Sequence, residues 1–378
     1  MIINFCTQVC NRRHQLEQTL PHNLAVLEQS DHKLLLLVVK GNDGTYELVQ
    51  RLKHPNLLVY HIDMPYDIIK AKRLVHDLAD GDYLFNLDAD NFISADLLAV
   101  IKRNQSNAIH NWYGTFNDGT YGRIGMPKSW YQAVQGYPSY MTGAGAHDFI
   151  LLQNLAIMGP VTNYRTIKKM PLLNDKQATI ANLNADQDWN ALNEANLQAH
   201  SQQPILIPSI EVKLPALTYG SNAGHLSTIP RNITRYELTL HTMRYWVTFS
   251  NDFDFGLGGK LPGFAQGDCP TGGVVGKGWS VRPMWRQDGA AEFYIYHPQQ
   301  AGQYGDSFKL PIKFVPGTKH LIELAYLGNL TVLKIDEHAI TIPLRKAPTH
   351  VLYHIFRGGH TPEWAGTVDG SIKIEPAA

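Results

Sequence analysis

Apolar and polar positions fall into two regimes along the chain, divided near residue 204. In the first, short apolar runs alternate with stretches of helical periodicity. Ile2–Cys6 is a short apolar run, and Arg12–Gln29 follows with leucines at helical spacing. Lys33–Val39 contains LLLLVV, an unbroken run that predicts a strand buried on both faces. Glu47–Lys53 predicts a short helix, Leu57–Ile62 a strand, Ile68–Ala79 an amphipathic helix, and Asp82–Leu87 a strand running straight into Asp88. Strand and helix alternating in this way predict βαβ units, and hence an α/β, Rossmann-like domain with a mostly parallel sheet. Such sheets bind ligands outside the carboxyl ends of their strands, which is where Asp88 falls.

After residue 204 the helical period stops, and Pro204, Pro208, Pro215 and Pro230 break the chain into short pieces. From about Arg244 come the runs YWVTFS, FYIYHP, HLIELAYL, LTVLKI, HVLYHIF and SIKIE, punctuated by Gly, Pro and Asp. That pattern predicts an all-β sandwich or barrel. The expected domains are residues 1–205 and 206–378, a division that a chain of 378 residues accommodates.

Composition narrows the function classes. The chain is 44% hydrophobic and 17% charged, as in a soluble globular protein, and 33 basic residues balance 33 acidic ones. Nothing favours nucleic acid as a partner. No stretch approaches the ~18 apolar residues of a membrane span, and the opening MIINFCTQVC lacks the basic and long apolar regions of a signal peptide. Three cysteines are an odd number, and Cys6 and Cys10 lie in or beside a buried strand. They read as free thiols, which fits a reducing cytoplasm as the expected location.

Two segments carry candidate chemistry. In GDYLFNLDADNF, Asp88 and Asp90 stand two apart directly after a strand. On extended backbone both carboxylates point the same way and can face one hard cation, Mn²⁺ or Mg²⁺, which can bridge a diphosphate. Asp186 and Asp188 in NADQDWN form a rival pair, read as a solvated helix start. In the second half FDFGLGGKLPGF, GWSVRPMWR and EFYIYHP follow one another. Ser280 and Arg282 alternate, as do Tyr294 and Tyr296, so each pair can project from one strand face. With Lys260 they would form a cationic, aromatic groove suited to an anionic sugar chain. There Arg and Lys can neutralise a uronate carboxylate while a tyrosine removes the C5 proton and protonates the leaving oxygen, a β-elimination. Packing alone also explains alternating tyrosines.

NFCTQVCNR, AKRLVHDLADGDYLFNLDADN and GTYGRIGMPKSWYQAVQGYPSYMTGAGAHD resemble the family-two and galactosyltransferase-like glycosyltransferases of the GT-A fold, over about residues 1–200. The resemblance implies a nucleotide-sugar donor, UDP-linked by expectation, a metal at Asp88 and Asp90, and an inverting displacement. It implies Asp148 of GAGAHD as the base, with His147 where the family has Glu. Lys72, Arg73 and Arg123 fall where the family approaches the donor, and Asp43 where it grips the nucleoside, although the turn Lys40-Gly41-Asn42-Asp43 is shortened. GGKLPG, GWSVRPMWR, YIY and the closing RGGHTPEWAGTVDGSIKIE resemble the alginate and glucuronan lyases of polysaccharide lyase family fourteen, over about residues 215–375. That likeness implies a β-jelly roll with a cleft lined by Lys260, Ser280, Arg282, Tyr294 and Tyr296. The combined expectation is a transferase acting on a glycan acceptor, an acidic polysaccharide, fused to a polyuronate lyase. The alternative is a jelly roll that only binds the glycan.

Overall fold

The LLLLVV run is buried along its whole length, 34–39, in the computed structural model. Leu34, Leu36 and Val38 join a core with Leu16, Leu20, Leu24 and Leu27 of one helix, while the alternate residues face the other side. A strand with both faces covered has no polar stripe to show, which is why its sequence does not alternate. The structure describes residues 1–114, 118–165, 167, 171–172, 182, 189–203, 205–220, 224–230, 241–274, 276–328 and 330–377, with the backbone alone for 226–230. Asp186 and Asp188 lie outside the described residues.

The chain divides into two compact units, Met1–His200 and Ser201–Ala378. In the first, β1 (Ile3–Val9), α1 (Arg13–Leu27), β2 (Lys33–Val39), α2 (Thr45–Gln50), β3 (Leu57–Ile62), α3 (Ile68–Asp77) and β4 (Tyr83–Asn86) follow in order. Next come α4 (Ala95–Arg103), β5 (Ala108–His110), β6 (Ile124–Pro127), α5 (Lys128–Ala133), α6 (His147–Met158) and β7 (Val161–Asn163), with α7 (Trp189–Ser201) at the end of the unit. The sheet order is β3-β2-β1-β4-β6-β5-β7. β1, β2, β3 and β4 are parallel, and β6 runs antiparallel to β4 and β5, so the sheet is mixed. The chain builds outward from β1 to β3 and then returns to place β4 on β1's other side. The carboxyl ends of β1 and β4 therefore flank a topological switch point, the usual ligand crevice of such sheets.

The second unit contains β8 (Ile210–Leu214), β9 (Gly224–Pro230), β10 (His241–Phe249), β11 (Gly258–Lys260), β12 (Gly263–Gln266), β13 (Trp279–Arg286) and β14 (Ala290–Tyr296). It continues with β15 (Asp306–Lys313), β16 (Lys319–Leu327), β17 (Leu330–Ile335), β18 (His338–Ile342), β19 (His350–Arg357) and β20 (Gly370–Pro376). They form two antiparallel sheets, one ordered β18-β17-β16-β10-β20-β8 and one running β11-β19-β12-β13-β14-β15 with β9 beside β19. Alternate residues Met243, Tyr245, Val247 and Phe249 of β10 are buried, the period-two signature of a half-covered strand. Phe249 meets Phe253, Phe255, Trp285 and Phe314 with ring centroids 4.9–5.3 Å apart. The fully buried Arg357 donates to the carbonyls of Leu214, Pro215, Asp254 and Val368, which joins three separate stretches of chain. All three cysteines are free, and among the described residues no helix is long and apolar enough to cross a membrane.

Candidate functional site

Asp88 follows β4 at the switch point, and a second carboxylate reaches it from far along the chain. The turn before α6 takes left-handed backbone at Gly143, Gly145 and Ala146. A side chain at Gly145 would meet Asn193 within 2.7 Å, so GAGAHD needs a glycine there for two reasons. Asp67, the N-cap of α3, accepts from both Lys70 N and Gly143 N at 2.9 Å, tying the turn to α3. This brings Lys72 of α3 to Asp148 of α6, with Nζ 3.0 and 3.1 Å from the two carboxylate oxygens and 3.5 Å from Asp88 Oδ1. Tyr137 donates its hydroxyl to Asp148 Oδ1 at 3.1 Å. His147 Nε2 lies 3.4 Å from Asp148 Oδ2, so the residue standing in for the family's Glu backs the candidate base directly. A Cβ on Gly122 would lie 2.9 Å from Asp88 Oδ2 and 3.2 Å from Asp148 Oδ2, so the two carboxylates flank this glycine.

The charge states follow from burial and neighbours. Burial opposes the Lys72 charge, yet Asp148 and Asp88 more than offset it and raise the ammonium's pKa. Burial alone would raise Asp148; His147 and Lys72 overcome this and hold the carboxyl below its ordinary range. Burial also pushes His147 toward its neutral form, so Lys72 is the partner that persists near neutral pH. Asp90, 5% exposed, is pushed up to about 7, first by burial and then by the charge of Asp88.

Two carboxylates whose charges oppose one another suit a divalent cation. Among the described residues no group of three or more His, Cys, Asp or Glu side chains is placed to hold a metal. Mg²⁺-type sites use one or two carboxylates and take the rest from substrate phosphates and water, so the pair fits that chemistry.

The other expected donor residues have structural duties. Arg123 is 2% exposed, and its Nε reaches Asn111 Oδ1 while Nη1 reaches Asn91 Oδ1 and the Phe92 carbonyl. Asn91 in turn donates to Asp90 Oδ1 at 2.7 Å, so Arg123 braces Asp90 from behind. Asp43 accepts from Thr45 N and Arg13 N, both at 2.9 Å, and so links the first residue of α2 to the first residue of α1. Arg73 donates to the Tyr137 carbonyl at 2.8 Å and pairs with Asp77. Tyr137 and Gly122 carry no signal in the sequence, because only the fold brings them to Asp148.

In the second unit the ladder places Lys260 opposite Met284 and Phe356, Arg282 opposite Tyr294, and Ser280 opposite Tyr296. Facing residues share a side, so Lys260, Ser280, Arg282, Tyr294 and Tyr296 lie on one face of the seven-stranded sheet. The glycines of GGKLPG permit this: a Cβ on Gly263 would lie 2.0 Å from the Val281 carbonyl and 2.9 Å from Arg282 Cγ. Lys260 Nζ lies 5.6 and 6.0 Å from the ring centroids of Tyr294 and Tyr296.

Arg282 is 1% exposed, and its Nε and Nη2 have no hydrogen-bond partner. Burial pushes its pKa down to about 10, which still leaves it charged at neutral pH. Burial, Arg282 and Arg286 together drive Lys260 well below the ordinary lysine value, toward the neutral amine. Burial, and then Tyr296, push Tyr294 up to about 12. His354, which sequence reading passed over although it alternates with Phe356 on β19, is driven down to about 3 by burial, Arg282, Lys260 and His225. Ser280 and Tyr296 behave differently from the other three. Ser280 Oγ donates to the Pro270 carbonyl at 2.6 Å, and Tyr296 Oη accepts from Gly273 N at 2.9 Å. These two bonds hold Pro270 and Gly273 against the sheet.

Residues 206–311 match the family model described as polysaccharide lyase 14. Among solved structures, the alginate lyase Aly36B is 28% identical, with 45% of this chain and 80% of that chain covered and a TM-score of 0.39. The PL-14 alginate lyase from Aplysia kurodai is 20% identical, covering 44% of this chain and 80% of its own, with a TM-score of 0.39. S. aureus TarS 1-349 in complex with UDP-GlcNAc is 12% identical, covering 53% of this chain and 72% of its own, with a TM-score of 0.37. No curated protein matches. The chain is thus similar in its parts to polysaccharide lyases and to a glycosyltransferase.

Proposed function

We propose that the second unit, a jelly roll in its finer topology, is a lyase that cleaves uronate-containing polysaccharide by β-elimination. The observation that carries this reading is Arg282, a buried guanidinium with two unpartnered nitrogens beside a lysine held toward the neutral form. An anion is what that site lacks. A uronate carboxylate on Arg282 acidifies the adjacent C5 proton. Lys260 is the base, in place of the tyrosine expected from sequence, because burial and two neighbouring guanidinium groups press its ammonium toward the neutral amine, whereas burial holds the Tyr294 phenol in its protonated form. The amine takes the C5 proton, the electron pair forms the C4–C5 double bond, and the C4–O bond breaks. Tyr294 gives its proton to the departing oxygen. Incubation with alginate, glucuronan and mixed uronate polymers, followed by absorbance of the unsaturated ends, tests the reading. Binding without absorbance would leave a glycan-binding domain instead.

The first unit, on this proposal, is an inverting glycosyltransferase of the GT-A type acting on a nucleotide sugar such as a UDP-sugar. Support comes from two carboxylates, Asp88 and Asp148, gathered around Gly122 at the switch point. The acceptor hydroxyl attacks the anomeric carbon, the bond to the diphosphate breaks, and Asp148 takes the hydroxyl proton. A carboxyl held low accepts that proton late, as the attacking oxygen becomes acidic. Asp88 and Asp90 would hold Mn²⁺ or Mg²⁺, which neutralises charge on the leaving diphosphate. A donor-hydrolysis screen across nucleotide sugars, with and without Mn²⁺, tests this. An acidic polysaccharide common to both units would join them in synthesis and editing.

A further inference from the structure

The face that carries Arg282 continues along β13 to a second guanidinium with a different partner. Arg286 lies four residues on, roughly 13 Å along the strand from Arg282 at the backbone, and its side chain borders the Lys260–Tyr294 centre from the far side, near enough to Lys260 to disfavour its charge. Its Nε and Nη2 both reach Glu292 Oε1, at 2.7 and 2.6 Å. Glu292 is 2% exposed and also accepts from Ser307 Oγ at 3.1 Å. The guanidinium lies 5.4 Å from the Tyr294 ring centroid and 5.8 Å from that of Trp364. Here the cation is already neutralised by the protein's own buried carboxylate.

The contrast with Arg282 sets a charge pattern. Lys260 and His354 are both driven toward their neutral forms. Arg282 is therefore the buried cation without an anionic partner among the described residues of this face. Lys309, opposite Glu292 in the ladder, is exposed on the edge strand β15, where water screens its charge. A second uronate at the Arg286 position would bring its carboxylate against Glu292, a like charge in a desolvated setting. Sugar hydroxyls would instead find a carboxylate, a guanidinium and a serine, with two aromatic rings beside them.

Resting on the lyase reading, we infer that the cleft takes a mixed polymer, in which the uronate read by Arg282 neighbours an uncharged sugar seated at Arg286, Glu292 and Ser307. The full chain is incubated with homopolyuronates (alginate and glucuronan), with a polymer alternating glucuronate and N-acetylhexosamine, and with partly carboxyl-reduced alginate. Unsaturated ends are followed throughout. At least one mixed polymer should show a kcat/KM tenfold or more above both homopolymers. Glu292→Gln, checked for folding by its melting temperature, should narrow that ratio severalfold. Ser307→Ala, which leaves the ion pair in place, should weaken the mixed polymer more than the homopolymers. Homopolyuronates cleaved as well as or better than every mixed polymer would overturn the inference while leaving the lyase reading intact. If nothing is cleaved, the lyase reading falls, and affinity for the same polymers decides: tighter binding of a mixed chain supports the charge pattern, equal or weaker binding refutes it.

Discussion

Arg282→Met keeps most of the aliphatic stem of a side chain that is 1% exposed and deletes a guanidinium whose Nε and Nη2 make no hydrogen bond. Its pKa is depressed from 12.5 to about 10, which corresponds to about 3 kcal/mol disfavouring the charged form in the folded unit. Because the folded value lies below the unfolded one, this penalty is full below about pH 10 and vanishes only above 12.5. Subtracting some lost packing leaves an expected gain of about 1–3 kcal/mol at neutral pH, or roughly 2–10 °C in Tm. Lyase turnover should fall by about 10²–10³-fold, as when one donor to a developing charge is removed. Calorimetry of the full chain, with and without polyuronate, identifies the second unit's transition in the wild type as the one that moves upward with ligand. In Arg282→Met that transition should start higher and no longer respond to polyuronate. A variant that melts several degrees lower, or that keeps turnover within tenfold, would show that Arg282 serves the fold rather than a substrate anion.

Lys72→Met strands the buried Asp148 beside Asp88, and should destabilise the first unit by about 3–5 kcal/mol, read as a lower Tm. Gly122→Ala puts a methyl within 2.9 Å of Asp88 Oδ2 and should cut donor turnover at least tenfold, measured as nucleoside diphosphate release, with little change in Tm. Asp88→Ala and Asp90→Ala should each abolish Mn²⁺-dependent binding of UDP, followed by calorimetric titration. Lyase activity should rise with pH through the depressed pKa of Lys260 and fall only near about pH 10, because the base must be neutral, Tyr294 protonated and Arg282 still charged to hold the uronate; a kcat/KM profile that falls between pH 6 and 9 counts against Lys260.

Strands buried on both faces, such as β2, and strongly alternating ones, such as β10 and β16, are legible because burial writes itself into hydrophobic pattern. β11 and β12 are not, since their glycines are there to let backbones approach β13, and they carry no pattern of their own. β13 and β15 contain Pro283 and Pro311, which lower any strand reading. The antiparallel direction of β6 depends on where the chain re-enters the sheet, a tertiary matter. At the sites, Asp88, Asp90 and Arg282 could be singled out from spacing and residue type. The pairing of Lys72 with Asp148 could not, because the partners lie 76 positions apart and meet only through the α3 cap at Asp67. Arg123 and Asp43, expected beside the donor, also hold neighbouring segments of the fold together. A charged residue near a motif can be a brace or a cap, and only its hydrogen bonds tell.

The tethers from Ser280 to Pro270 and from Tyr296 to Gly273 bear on how relatives of this domain should be judged. A descendant that needs Pro270 and Gly273 held to the sheet has reason to keep those two residues whether or not it turns over substrate. Their persistence in a sequence is evidence of loop architecture, and a tally of five intact positions overstates catalytic competence. On the lyase proposal, the residues left to diagnose cleavage are Lys260, Arg282 and Tyr294, and a relative that lacks one of them while keeping both tethers is expected to bind glycan without cutting it.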